Sequence, residues 1–86
     1  MPRISYFFGI SIYVYYRDHA PPHFHAIHGE LEAWLGIGDL AILKGGLGPR
    51  AMGLVLEWAS RHQDELHDAW TRARNHEPLQ RIEPLR

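Results

Sequence analysis

Three histidines fall within seven residues, His19-Ala20-Pro21-Pro22-His23-Phe24-His25. Histidine is the side chain whose ordinary pKa lies nearest neutrality, so it can exchange protons or offer a neutral nitrogen to a metal. Pro21 and Pro22 fix their own φ and bias the residues before them toward extended structure. His23 and His25, two residues apart on a strand, project to the same side. Four readings follow. In a structural one, the imidazoles bond loop carbonyls and hold a hairpin corner. In a catalytic one, His19, His23 and His25 act as general acid and base on RNA, passing protons to and from a ribose hydroxyl and a leaving oxygen. Arg17 neutralises a phosphate there, and Tyr13, Tyr15 and Trp34 form the substrate surface, with Tyr15 or Trp34 stacking on a base. Such a ribonuclease needs no metal or other cofactor. In a metal reading, His23, His25 and Glu32 bind one divalent transition metal, with His19 or Asp18 able to replace the carboxylate. In the fourth, the aromatic sheet face or the sheet edge docks a small protein.

The composition narrows these choices. The 86 residues carry a formal charge of −1 and no cysteine. Disulfides, thiolate nucleophiles and thiolate zinc sites are therefore excluded, which suits a reducing cytoplasm. A domain that grips nucleic acid broadly is usually basic. Near-neutral charge leaves room for one or two phosphate contacts, with Arg3, Arg17 and Arg50 as the candidates. The apolar stretches fall short of the ~18 residues that span a membrane, and no basic-then-apolar leader precedes them. The chain reads as one cytoplasmic domain with no membrane contact. A chain this short buries only about 60–65% of its unfolded surface. A second copy or a partner would add burial, so a homodimer is one expected state.

The elements that position the histidines follow from patterning. Residues 10–16 alternate and are rich in β-branched and aromatic side chains, which reads as a strand. Residues 4–8 are an optional further strand before it, interrupted at Gly9 and not counted among the four. Residues 17–22 are a loop and residues 23–28 a strand. Gly29 and Glu30 close a hairpin onto a strand at residues 31–37. Gly38 and Asp39 turn the chain into a short strand at residues 40–44. Pro49 suits the first position of a helix. Ala51, Leu54, Val55, Trp58, His62, Leu66, Ala69, Trp70 and Ala73 then recur at helical spacing, predicting one helix over residues 49–75. Glu57–Arg61 and Asp68–Arg72 pair on its outer side. His62 reads as a core histidine, His67 and His76 as solvated, and Trp58 and Trp70 as core anchors. Residues 79–86 are extended, with Leu79, Ile82 and Leu85 available to pack. The expected fold is α+β: an antiparallel meander of three to four strands, one long C-terminal helix on one face, and an extended tail.

Pairing across the Gly29-Glu30 turn sets His28 opposite Leu31, Ala26 opposite Ala33 and Phe24 opposite Leu35, on the side the helix covers. His23, His25, Ile27, Glu32 and Trp34 take the other side. Keeping Ile10, Ile12, Val14 and Tyr16 over the core requires an odd-length connection or a bulge, and brings Tyr13 and Tyr15 beside His25. The expectation is a solvent-facing surface of Tyr13, Tyr15, His23, His25 and Trp34.

Met1-Pro-Arg-Ile-Ser5, Phe8-Gly-Ile10, Tyr15-Tyr16, Asp18-His19, Pro21-Pro-His-Phe-His25, Leu54-Val-Leu-Glu-Trp-Ala59 and Ile82-Glu-Pro-Leu85 together resemble a small prokaryotic family, domain of unknown function 4160. The resemblance covers nearly the whole chain, and the PPHFH and LVLEWA blocks are its specific part. It implies a partner encoded next door and a place in a two-protein bacterial module of toxin–antitoxin or regulatory type. It points to Tyr15, Tyr16, Asp18, His19, His23 and His25 as functional positions. This sequence departs from the family where Pro49-Arg50 replaces a basic pair and Gly53 a basic residue, which weakens phosphate binding at the helix start. The expected function is a toxin-like component acting on RNA through the histidine loop. A non-catalytic binding or regulatory subunit is the alternative, and a metal-dependent enzyme the third.

Overall fold

The computed structural model describes residues 3–86. Five antiparallel strands follow one another in sheet order as in sequence: β1 (Arg3–Phe7), β2 (Ile10–Tyr13), β3 (His23–His28), β4 (Leu31–Gly36) and β5 (Ile42–Gly45). The α+β meander is thus as expected, but with five strands rather than three to four, because the optional segment at residues 4–8 pairs with β2 as β1. Alternation is the cause of the layering. Ile12 stands opposite Ala26, and Ala26 opposite Ala33, so each strand gives the core every second residue. Phe24, Ala26, Ala33 and Leu35 are all fully buried on this face. The β3–β4 register is the one derived from the Gly29-Glu30 turn, including His25 opposite Trp34.

The helical region differs from the single helix of residues 49–75. It forms α1 (Pro49–Arg61) and α2 (Gln63–Arg74), divided at His62. His62 adopts φ −130°, and its N–H reaches Ala59 O, three residues back. The Gln63 side-chain amide donates to Ile37 O at 2.8 Å and to Gly38 O at 3.1 Å, tying the start of α2 to the end of the sheet. No proline or glycine marks this break, and it arises from tertiary contacts. His62 is half-buried and bonds Glu65 rather than sitting in the core.

Pro49 opens α1, and Ala51, Val55, Trp58 and Ala59 form its buried stripe. Trp58 is fully buried, its ring 5.3 Å from Phe7 and 6.1 Å from Phe24. Its indole N–H donates to Glu83 O at 2.7 Å, so the tail is pinned under α1. Ile82 and Leu85 are buried, and Ile82 N–H donates to Ile4 O on β1. The two outer ion pairs, Glu57–Arg61 and Asp68–Arg72, are present, and His67 and His76 are exposed. Among the described residues no helix is long and apolar enough to cross a membrane.

Candidate functional site

β3 places His23 and His25 on the side of the sheet opposite Phe24 and Ala26. They are not displayed to solvent as the sequence led us to expect. His23 is 4% exposed and His25 3%. Two things cover them. The loop before β3, with a cis Ala20–Pro21 bond, carries Asp18 back over both rings. Aromatic rings close the rest. Tyr15 meets His25 edge-on at 4.5 Å, Trp34 lies 4.6 Å from His25 and 5.5 Å from His23, and Trp70 of α2 lies 5.3 Å from His23. Tyr13 sits opposite His25 and stacks on Tyr15 at 5.7 Å. The expected grouping of Tyr13, Tyr15, His23, His25 and Trp34 is therefore met, but it is packed rather than open.

The polar contacts are ordered. His23 Nδ1 lies 2.7 Å from Pro21 O. A carbonyl only accepts, so Nδ1 carries the hydrogen. His25 Nδ1 lies 3.0 Å from Glu32 Oε2, and the same oxygen accepts from Trp34 Nε1–H at 2.9 Å. The hydrogen bond from His25, with help from Trp34, holds the Glu32 carboxyl below its usual range against the opposing effect of partial burial. Glu32 is thus an ionised acceptor at neutral pH, and His25 Nδ1 donates to it. Tyr15 is pushed above its ordinary value, first by partial burial and then by the charges of Glu32 and Asp18 and by Tyr13. Its hydroxyl stays protonated at neutral pH.

With both Nδ1 atoms engaged, both Nε2 atoms turn to one carboxylate. His25 Nε2 is 2.8 Å from Asp18 Oδ2. His23 Nε2 is 3.4 Å from the same oxygen but makes no hydrogen bond, and it is buried. Asp18, His23 and His25 each offer one ligand atom, all within 4.8 Å of one another. Asp18 thus takes the position for which Glu32 was the first choice. Glu32 reaches the opposite nitrogen of His25 and cannot converge with the other two.

A cleft of about 360 Å³ opens beside this cluster, lined by Asp18, His19, Ala20, Pro21, His23, Trp34, Leu43 and Lys44. His19 is exposed at its rim. Arg17 is also exposed but is not part of the lining. Lys44 lies opposite Trp34 in the β4–β5 register, its ammonium 4.7 Å from the indole centroid. Lys44 and Trp70 escaped the sequence reading. Lys44 belongs to a strand whose register depends on a bulge between Trp34 and Leu35. Trp70 sits on an apolar helical stripe that gives no sign of a neighbouring imidazole.

No curated protein and no solved structure matches this chain. One family model does, over residues 9–71, a span that takes in β2 to β5, the histidine loop and most of the helical region. The chain therefore belongs to the family described as Domain of unknown function (DUF4160).

Proposed function

We propose that this chain is the toxin-like component of a small bacterial two-protein module, acting on RNA at the cleft beside the histidine pair. The observation that carries the reading is the lining of that cleft. It brings together an indole, an ammonium and two imidazoles: Trp34, Lys44, His19 and His23. These are the groups that would stack a base, hold a phosphate and exchange protons at a ribose hydroxyl. His25 is no longer a candidate for direct proton transfer, because both its nitrogens face carboxylates. It becomes the residue that fixes Asp18 against His23. Lys44 takes over the phosphate role first read for Arg17.

Expression without the neighbouring partner tests this. The reading expects growth arrest and RNA loss, with both relieved by His19→Ala combined with Lys44→Ala in protein that remains folded. Unimpaired growth with abundant folded protein contradicts it. A second reading, the non-catalytic binding subunit, is favoured by the outer strand β5. All its residues are exposed, including Ile42 and Leu43. An edge of this kind can pair with a strand of another chain. In that case co-purification with the partner depends on β5, and RNA survives incubation.

A further inference from the structure

Three candidate ligand atoms, Asp18 Oδ2, His23 Nε2 and His25 Nε2, meet beside the start of β3. His23 Nδ1–H is committed to Pro21 O, and His25 Nδ1–H to Glu32. Each Nε2 is then the ring atom turned toward Asp18 Oδ2. A proton on His25 Nε2 would satisfy the 2.8 Å contact with Asp18 Oδ2. It would leave His23 Nε2 as it stands, buried and unpartnered at 3.4 Å from that oxygen. A buried polar atom of this kind calls for an explanation. One divalent cation answers all three donors at once.

We infer that Asp18, His23 and His25 form a binding site for a first-row divalent transition metal, with Asp18 Oδ2 and the two Nε2 atoms as ligands. Two imidazoles and one carboxylate suit zinc or ferrous iron with positions left open for water or substrate. Metal–ligand bonds of about 2.0–2.2 Å separate neighbouring donor atoms by roughly 2.9–3.4 Å. The two separations from Asp18 Oδ2 to the ring nitrogens are 2.8 and 3.4 Å. The two nitrogens lie no more than 4.8 Å apart. The outer partners are also in place. A ligating histidine commonly donates its second N–H to a carbonyl or carboxylate, which fixes the ring and its tautomer. Pro21 O does this for His23 and Glu32 for His25. Asp18 and His23 line the cleft, so substrate bound there would reach the ion. The site stands whether or not the cleft takes RNA; with an ion on His23 Nε2, proton exchange in the cleft falls to His19.

The test uses the full untagged chain, stripped with chelator and titrated with Zn²⁺ and, as a spectroscopic reporter, Co²⁺. One equivalent should bind per chain, Co²⁺ should give visible d–d absorption, and either metal should raise the unfolding temperature. His23→Ala should abolish all three signals. Asp18→Asn, in a half-buried loop position, does the same work should His23→Ala fail to fold. Glu32→Gln should weaken binding by about 10–100-fold without removing it. His67→Ala with His76→Ala, both exposed, should change nothing. Absence of binding by the wild-type chain overturns the inference. So does binding that survives Asp18→Asn or disappears with the exposed pair.

Discussion

The two faces of β3 are equally dry and are closed by different physics. On one, Phe24 and Ala26 are fully buried against Trp58 and the neighbouring strands. On the other, His23 and His25 reach 4% and 3% exposure by engaging carboxylates, a carbonyl and aromatic rings. Apolar burial gives about 1.5–3 kcal/mol per large side chain and tolerates imperfect orientation. Polar burial yields little net stability and is costly when a partner is missing. A chain that needed only a closed sheet would place apolar residues on both faces. The histidine face accepts a costlier and more directional solution, and it leaves one nitrogen unpaired. That difference is the physical argument for a working site there.

Substitutions break this comparison in a graded way. Phe24→Ala should have the largest effect on stability. It leaves a cavity beside Trp58 and should cost about 3–5 kcal/mol in denaturant unfolding, with no selective effect on metal binding. Asp18→Ala should cost less, about 1–3 kcal/mol, because it removes the carboxylate that meets His25 Nε2 at 2.8 Å within a mostly buried cluster. Its signature is selectivity: metal binding is lost while the core signal of Trp58 is retained. Glu32→Gln should cost under about 1 kcal/mol, since the Glu32 side chain is 43% exposed and solvent screens much of its attraction. The smallest effect belongs to Glu57→Ala. It removes an exposed pair with Arg61 on α1, worth about 0.3–0.5 kcal/mol, and serves as the reference for a surface change. Equal losses from Phe24→Ala and Asp18→Ala, with no difference in ligand binding, would erase the distinction between the faces.

Much of the fold was legible because strand alternation and one glycine turn act locally. Gly29, at φ 62°, closes the β3–β4 hairpin, and the register of six residue pairs follows from that one turn. The break at His62 was not legible. The apolar spacing runs through it, and its cause, the anchoring of Gln63 to Ile37 and Gly38, is distant in sequence. The fourth turn was misplaced for a similar reason. Asp39 Oδ1 accepts from Ala41 N–H and Leu40 adopts φ 57°, so β5 begins at Ile42 rather than at residue 40. In the site, the shared side of His23, His25, Glu32 and Trp34 was readable from strand parity. Their burial was not, because it depends on how the Asp18 loop folds back and on where α2 brings Trp70.

The most direct test of the histidine face is anomalous scattering from a crystal of the full chain grown with Zn²⁺, recorded above and below the zinc edge. The account predicts one strong peak between Asp18 Oδ2, His23 Nε2 and His25 Nε2. No peak there, or peaks only at exposed histidines such as His67 and His76, would contradict it.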